Sequence, residues 1–197
     1  MMLENKLNDY KIILASGSPR RKKFLEQMDL EFEIRLMPID EVYPRELKGA
    51  EISNYLSELK ARPFKNLLRE KEILITSDTV VWHNNQSLAK AQTTAEAKEM
   101  LHRLSGDWHE VITSVCFTTS KTQQTKNSVT QVKFKELSEA EIEHYVSAYK
   151  PFDKAGAYGI QEWIGLIGIK EIKGSYPNVV GLPTQLVYET LMHMAIS

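Results

Sequence analysis

L-A-S-G-S-P-R-R, residues 14–21, is a short turn between a predicted strand and a predicted helix. The apolar run at 11–15 is typical of a buried strand. Ser18 is a favoured N-cap residue and Pro19 a favoured first helical residue, so we expect the helix to run from Pro19 to Met28. A strand, a turn and a helix in this order indicate an α/β arrangement.

The same turn has the chemistry of an anion site. The first amides of a helix have no partner within the helix, and the helix dipole is positive there, so this end favours a bound anion. Arg20 and Arg21 carry forked donors that match phosphate oxygens. The P-loop pattern G-x-x-x-x-G-K-[ST] is absent. On these residues alone, phosphate binding and an ordinary N-cap with a solvated arginine pair are equally good interpretations.

Charge and hydropathy exclude several classes of protein. The 197 residues contain 25 Lys and Arg against 26 Asp and Glu, a net charge of -1. This balance argues against a protein that holds nucleic acid through bulk charge. The chain shows neither the apolar core of a signal peptide nor an apolar run long enough to span a bilayer, so we expect a cytoplasmic protein with no membrane partner.

Cysteine and histidine usage argues against a zinc site. Cys116 is the single cysteine, which rules out an internal disulfide, and its apolar V-C-F context predicts a buried thiol. The five histidines lack the spacing of zinc ligands. We expect His109 to pack or hydrogen-bond inside the fold.

Helices and strands alternate early in the chain, and strands dominate its middle. Further helices are predicted at 52–59, from the capping pattern Thr93-x-x-Glu96 to Leu104, from Ser138-x-x-Glu141 to Ala148, and from Pro183 onward. Strands are predicted at 31–36, 73–76, 79–82, 111–119, 129–134 and 165–172. The pattern predicts an α/β or mixed α+β fold with an extended sheet, one domain over 1–197 with a second lobe at roughly 79–150.

Three further segments carry groups suited to chemistry. Asp78 follows the apolar run I-L-I-T, at the strand end where open α/β sheets bind ligands, and could hold a cation or take a proton from water. Glu41, in the pair Asp40-Glu41, could bind a hard cation. The segment D-K-A-G-A-Y-G-I-Q (153–161) is rich in small residues that let a ligand approach the backbone. Each segment also has a structural interpretation that stays open. Asp78 could simply turn the chain, Asp40-Glu41 could be a solvated surface pair, and residues 153–161 could be a plain loop.

Taken together and in this order, these segments resemble the Maf family of septum-formation-inhibitor-like nucleotide pyrophosphatases. The resemblance spans roughly residues 11 to 192. It rests on L-A-S-G-S-P-R-R (14–21), D-E (40–41), K-A (60–61), S-D-T-V-V (77–81), L-S-G (104–106), H-E-V-I-T (109–113), D-K-A-G-A-Y-G-I-Q (153–161), G-S-Y (174–176) and V-V-G-L-P (179–183). Each motif is modest alone, whereas the ordered series is highly specific.

The resemblance implies a metal-dependent hydrolase that converts a nucleoside triphosphate to the monophosphate and pyrophosphate. The implied fold is a mixed α/β structure with an elongated sheet flanked by helices and a central cleft between two lobes, often a homodimer. The implied cofactor is Mg²⁺ or Mn²⁺. Carried over by motif, Asp78 activates water or binds the metal, and Glu41 helps to hold the metal. The residues implied to line the triphosphate are Ser16, Arg20, Arg21, Lys60 and Lys90.

Two features resemble the branch of the family that acts on dTTP and UTP. Thr79 follows Asp78, where the branch acting on 7-methyl-GTP typically has glutamine, and the 153–161 segment ends in Gln161. Arg20, Thr79 and Gln161 are implied to select the base. The amide of Gln161 can both donate to and accept from the O4 and N3–H edge of thymine or uracil.

Three segments depart from the family pattern. Ala89 and Ala91 flank Lys90 where the family commonly has glycine and proline, and Ser77 replaces the usual alanine before Asp78. Glu162 and Trp163 follow Gln161 where glycine is common. The last departure lies at the expected rim of the base pocket.

Two alternatives to a dTTP/UTP pyrophosphatase stay open at this point. One keeps the reaction but acts on another nucleotide, such as 7-methyl-GTP. The other is a nucleotide-binding regulator of cell division whose hydrolysis is incidental or absent. The combination of Asp78, Glu41 and paired basic residues favours an enzyme, because a pure binding protein does not need a water-activating carboxylate.

Overall fold

The computed structural model of the chain describes residues 7–195. Seven α-helices lie wholly within these residues: α1 (Pro19–Gln27), α2 (Ala50–Ala61), α3 (Thr94–Leu104), α4 (Glu139–Tyr149), α5 (Trp163–Gly168), α6 (Tyr176–Val180) and α7 (Thr184–Met194). A 3₁₀ turn (Arg62–Phe64) follows α2. The strands are β1 (Lys11–Leu14), β2 (Phe32–Ile34), β3 (Glu72–His83), β4 (Gln86–Leu88), β5 (Trp108–Thr118), β6 (Gln123–Phe134) and β7 (Ile169–Lys173). None of the helices described is both long enough and apolar enough to cross a membrane.

The strands form one mixed sheet, which confirms the predicted mixed α/β class. Hydrogen-bonded neighbours follow the order β2-β1-β3-β5-β6-β7, and β4 pairs with β3. Strand β1 is parallel to both β2 and β3, with Ile12 opposite Ile73 and Leu14 opposite Ile75. Strands β4 and β7 are antiparallel to β3 and β6, respectively. Parallel strands therefore occupy the early part of the chain, as the alternation of strands and helices there requires.

The chain divides into two compact units, each built from separate stretches of sequence. The first unit contains the described residues up to Asp78, then Thr113–Ser128 and the described residues from Gly181 onward. The second contains Thr79–Ile112 and Val129–Val180. The predicted second lobe, roughly 79–150, starts at the same residue as the second unit. The observed unit also includes residues 151–180 and leaves out 113–128.

The first unit buries both faces of its parallel strands. On one face, alternate apolar residues of β1 and β3 pack against apolar residues of α1 and α7. On the other face, Ile13 and Leu74 pack with Ala61, Phe64 and Cys116. Side chains alternate between the faces of a strand, and helices cover both sides of a parallel sheet, so these strands read as continuous apolar runs.

The second unit has a core of its own. Helices α3, α4 and α5 contribute Leu101, Ile142 and Ile164, and strand β6 contributes Val132 and Phe134. Helix α4 begins with a complete capping box: Ser138 accepts from the backbone N–H of Glu141, and the Glu141 carboxylate accepts from that of Ser138. The helix predicted from this pattern is confirmed.

Two local predictions were wrong. Residues 73–76 and 79–82 were predicted as two strands separated by Ser77 and Asp78. They belong instead to one strand, β3, which runs without a break from Glu72 to His83. The apolar run predicted as a strand at 165–172 instead forms helix α5 up to Gly168, and only then strand β7. A short apolar run fits a buried helix as well as a buried strand, so periodicity alone could not distinguish the two.

Candidate active site

The turn between β1 and α1 lies in the first unit and is closed by its own serines. The backbone N–H of Ser18 donates to Ser16 Oγ at 3.2 Å, and the backbone N–H of Arg21 donates to Ser18 Oγ at 3.4 Å. Ser18 is therefore the N-cap of α1, as predicted. Ser16 is only 8% exposed. The capping bonds hold the turn at the helix end where an anion is favoured.

The guanidinium of Arg21 joins this turn to two distant stretches of the first unit. Nε donates to the Gly181 carbonyl at 2.9 Å, and Nη1 donates to the Ser77 carbonyl at 2.8 Å and to Ser16 Oγ at 3.4 Å. Burial lowers the pKa of Arg21, and the carboxylate of Asp78 partly opposes that effect. Arg21 thus fixes the turn next to Asp78. Its expected contact with a triphosphate stays a prediction.

Lys60 connects the two predicted metal-binding carboxylates. Its Nζ lies 2.7 Å from Asp78 Oδ1 and 3.2 Å from Glu41 Oε1. The side chains of Asp78 and Lys60 are 10% and 16% exposed, whereas that of Glu41 is 44% exposed. Lys60 lies in the last turn of α2, where the helix dipole favours a cation. Three residues from separate parts of the sequence therefore form one charged cluster.

Polar contacts position α2 so that Lys60 reaches Asp78. Thr76 Oγ1 donates to the Ser57 carbonyl at 2.7 Å, one turn before Lys60 and two residues before Asp78. The hydroxyls of Ser53 and Ser114 are 2.7 Å apart and fully buried. Buried polar groups that satisfy each other fix the register of a helix on a sheet. Serines on this face of α2, rather than large apolar residues, allow this close contact.

Six of the predicted site residues belong to the first unit: Ser16, Arg20, Arg21, Glu41, Lys60 and Asp78. Arg20 is half-buried in the first turn of α1, and its charge lowers the pKa of Arg21 further. Within residues 7–195, no group of three or more His, Cys, Asp or Glu side chains is arranged to hold a metal ion. The carboxylates of Glu41 and Asp78, which both pair with Lys60, offer oxygen ligands of the kind that Mg²⁺ and Mn²⁺ prefer.

The other three predicted residues belong to the second unit. Thr79 directly follows Asp78 on β3 and is half-buried. Lys90 is exposed and forms an isolated antiparallel bridge with Ala155. The nearby backbone N–H of Gly156 donates to the Leu88 carbonyl at 2.9 Å. The structure thus pairs the Lys90 segment with the segment at 153–161. The exposed Gln161 ends that segment.

A network around Glu162 was not predicted from the sequence. Its carboxylate accepts a very short hydrogen bond from Tyr145 Oη and lies 3.0 Å from Lys154 Nζ. Tyr145 Oη in turn accepts from the backbone N–H of Gly159 at 3.0 Å. The available signal was the unusual glutamate after Gln161. Its partner on α4 had no signal, because Tyr145 reads as an ordinary core residue of an amphipathic helix.

The structural, non-catalytic roles predicted for His109 and Cys116 are confirmed by their burial. His109 is 2% exposed, and its Nε2 lies 2.7 Å from Tyr158 Oη. Burial lowers the pKa of His109 to about 3, so the ring is neutral at physiological pH. Cys116 is fully buried, and burial raises the pKa of its thiol. Neither residue has the character of a reactive group.

The fold and the charged cluster define a mixed α/β protein with a candidate anion site at a helix N-terminus. The model of the family described as Maf-like protein matches residues 11–194. The chain belongs to this family, and the resemblance seen in its motifs is confirmed.

Two curated proteins and one solved structure are similar to the chain. The chain is 55% identical over 190 residues to the dTTP/UTP pyrophosphatase of Flavobacterium johnsoniae, covering 96% of this chain and 98% of that protein. It is 55% identical over 193 residues to the dTTP/UTP pyrophosphatase of Christiangramia forsetii, covering 98% of each chain. The Ham1 protein of Staphylococcus aureus gives a TM-score of 0.46 at 10% identity, covering 63% of this chain and 71% of that one.

Proposed function

We propose that this chain is a nucleoside triphosphate pyrophosphatase that hydrolyses dTTP and UTP to the monophosphate and pyrophosphate. Membership of the Maf-like family supports the reaction class. Relatives that are 55% identical over nearly the whole chain carry the name dTTP/UTP pyrophosphatase, which supports the choice of nucleotide.

The structural observation that carries the proposal is the ion-paired cluster of Asp78, Lys60 and Glu41. A largely buried carboxylate beside an ammonium group can take a proton from water while the positive charge attracts phosphate oxygens. The turn at Ser16 is held in the same unit through Arg21, whose Nη1 binds the backbone of Ser77 next to Asp78.

In the proposed reaction, Asp78 accepts a proton from the attacking water. The water oxygen bonds to the α-phosphorus, the bond from that phosphorus to the bridging oxygen breaks, and pyrophosphate leaves with the electron pair. Lys60 and the basic residues of the turn balance the growing negative charge on the phosphate oxygens. The proton then passes from Asp78 to solvent, and the carboxylate is ready for another turnover.

A divalent cation, Mg²⁺ or Mn²⁺, fits the oxygen donors of Glu41 and Asp78. Mg²⁺ sites are commonly built from one or two protein carboxylates together with substrate phosphates and water. When bound, the cation supplies further charge neutralisation for the triphosphate. The chain's own part is to present the two carboxylates together, which Lys60 does by pairing with both.

Base selection is assigned to Arg20, Thr79 and Gln161. Thr79 is adjacent to Asp78 in sequence. A residue assigned to select the nucleobase is therefore the direct neighbour of the carboxylate proposed to take the proton from water. The amide of Gln161 makes no hydrogen bond with any residue of the described part of the chain. Its donor and acceptor are therefore available to thymine or uracil.

A nucleotide panel tests the proposed function. Purified protein is incubated with Mg²⁺ or Mn²⁺ and with dTTP, UTP, CTP, dATP, GTP or 7-methyl-GTP, and both monophosphate and pyrophosphate are measured. We expect kcat/KM for dTTP and UTP to exceed the others by at least about tenfold, because polar base contacts discriminate strongly. Excess EDTA should stop turnover, and added Mg²⁺ should restore it.

Three other results of the nucleotide panel would change the proposed function. Best turnover of 7-methyl-GTP would replace the dTTP/UTP assignment while keeping the reaction. Tight nucleotide binding without release of pyrophosphate would overturn the enzyme and support a binding protein. Full activity in EDTA would remove the metal from the proposal.

A further inference from the structure

The ammonium group of Lys60 already pairs with both carboxylates that are proposed to bind a divalent cation. Its Nζ lies 2.7 Å from Asp78 Oδ1 and 3.2 Å from Glu41 Oε1. Mg²⁺ binds its oxygen ligands at about 2.1 Å, so a cation on the same oxygen of Asp78 would lie within about 5 Å of Nζ. Lys60 and a divalent cation therefore compete for the same negative charge.

Burial strengthens this competition. The side chains of Asp78 and Lys60 are only 10% and 16% exposed, so solvent screens their charges incompletely. Lys60 also lies in the last turn of α2, where the helix dipole favours a positive charge. Like charges a few ångströms apart repel each other strongly when they are partly removed from water. The cluster without nucleotide should therefore bind a divalent cation weakly.

A triphosphate supplies what the cluster lacks. Within residues 7–195, no group of three or more His, Cys, Asp or Glu side chains is arranged to hold a metal ion. Mg²⁺ sites with one or two protein carboxylates are commonly completed by substrate phosphates and water. The phosphate oxygens also attract the ammonium of Lys60, whose four-carbon stem is flexible. One ligand can thus complete the coordination of the cation and draw the competing charge away from the carboxylates.

We infer that the chain takes up its divalent cation together with the triphosphate, as the metal–nucleotide complex, and that Lys60 occupies the two carboxylates until then. When phosphate oxygens arrive, the ammonium moves from the carboxylates to the phosphates, and the carboxylate oxygens become available to the cation. The order of uptake rests on the proposed function. The competition by Lys60 does not, since it concerns the protein without nucleotide.

A Mn²⁺ titration of the protein without nucleotide tests the competition. Bound Mn²⁺ is measured by the loss of the electron paramagnetic resonance signal of the free ion. Lys60→Met retains a long side chain but removes its charge, and we expect it to bind Mn²⁺ at least about tenfold more tightly than the wild type. Lys121→Met removes the same charge from an exposed pair with Glu70 and should leave the affinity unchanged. An affinity of Lys60→Met no higher than that of the wild type would overturn the inference.

Two further variants locate the Mn²⁺ and provide for loss of folding. Adding Asp78→Asn to Lys60→Met should cancel the gain in affinity, because the tighter site needs the carboxylate of Asp78. A gain that persists would place the ion elsewhere and contradict the inference. Lys60→Gln covers the case in which Lys60→Met does not fold, since its amide can still donate a hydrogen bond but carries no charge. It should also bind Mn²⁺ more tightly than the wild type, and equal affinities would again overturn the competition.

The order of uptake is tested by kinetics of the wild type. Initial rates are measured at fixed concentrations of the Mg²⁺–dTTP complex while free Mg²⁺ is raised from below to well above the concentration of that complex. We expect KM for the complex to stay constant, because no cation has to bind beforehand. A KM that falls as free Mg²⁺ rises would show that the cation binds first and would overturn this order. If the wild type hydrolyses neither dTTP nor UTP, the proposed function fails, whereas the Mn²⁺ titration still decides the role of Lys60.

Discussion

At Lys60, one ammonium group lies within ion-pair distance of two carboxylates from separate parts of the chain. Two carboxylates this close together would otherwise repel each other. Because Asp78 and Lys60 are both mostly buried, their attraction is screened less than that of a surface pair. Lys60 therefore gathers the charges that the proposed reaction uses before any nucleotide is present.

Replacing Asp78 by asparagine should separate chemistry from folding. An asparagine oxygen can still accept the hydrogen bond from Lys60, but it cannot take a proton from water. We expect Asp78→Asn to lower kcat by about a thousandfold, within the range for loss of a general base, while circular dichroism shows a folded protein. Asp9→Asn, at an exposed ion pair with Lys71, should retain wild-type activity. A kcat within a few fold of wild type in Asp78→Asn would remove Asp78 from the mechanism.

The hydrogen-bond partners of some site residues could be predicted from neighbouring sequence, and those of other site residues could not. The cap at Ser18 could be predicted because its hydrogen bond closes within three residues. The partners of Arg21 could not, since the Ser77 and Gly181 carbonyls are 56 and 160 residues away and every residue has such a group. The pairing of Glu41 with Asp78 was expected only from the family resemblance. The lysine that joins them in space has no local signature.

Helix α5 shows why one element was mistaken. Its six residues, W-I-G-L-I-G, contain no polar side chain, so neither helical nor strand periodicity is visible. The helix packs so closely on the preceding segment that a Cβ on Gly165 would lie 1.8 Å from the Ile160 carbonyl oxygen. The two residues are only five positions apart, but their approach depends on the backbone path between them, which the periodicity of an apolar run does not encode. By contrast, the helices with Ser or Thr caps were predicted because the caps are local.

Gly165→Ala should destabilise the protein through this contact. The added methyl group cannot fit against the Ile160 carbonyl without moving the backbone of α5. We expect the free energy of unfolding, measured by urea denaturation, to fall by about 3 kcal/mol, at the upper end for overpacking. Leu166→Ala changes the next residue of the same helix, which is 81% exposed, and should change stability little. Equal stabilities of the two variants would contradict the close packing.

On the scale of the whole molecule, three strands carry the chain between units that are not continuous in sequence. Strand β3 leaves the first unit at Asp78, and β5 and β6 also contain a boundary between units. The second lobe was predicted as one continuous stretch of sequence. Patterns along a single chain do not show that residues 113–128 pack with the first unit. The homodimer implied by the family stays a prediction.

The stability of the whole protein should depend on pH through His109. Burial keeps the pKa of this ring at about 3 in the folded state, against 6.5 for an ordinary histidine. Between these values the unfolded chain binds a proton that the folded chain does not, so stability falls as pH falls. Chemical denaturation should show a loss of about 2 kcal/mol from this ring between pH 6.5 and 5, at about 1.4 kcal/mol per pH unit.

Removing the imidazole should remove this slope. His109→Gln keeps a donor for Tyr158 Oη and should show a flatter dependence of unfolding free energy on pH above 5. His144→Gln, at an exposed position of α4, should retain the slope. The hydrogen bond from His83 lowers the pKa of Asp107, and such carboxylates lose their contribution only at more acidic pH. A slope in His109→Gln equal to that of wild type would assign the effect elsewhere.

The bond from Arg21 to Gly181 also has a consequence for the order of assembly during synthesis. A nascent chain that has been translated only as far as Val180 contains the turn, the lysine and both carboxylates of the candidate site. It does not yet contain the carbonyl that Arg21 Nε binds at 2.9 Å in the finished fold. This last hydrogen bond of the turn between β1 and α1 can therefore form only after Gly181 has left the ribosome. Up to that point, a partly made chain has every charged group of the site without this final hydrogen bond.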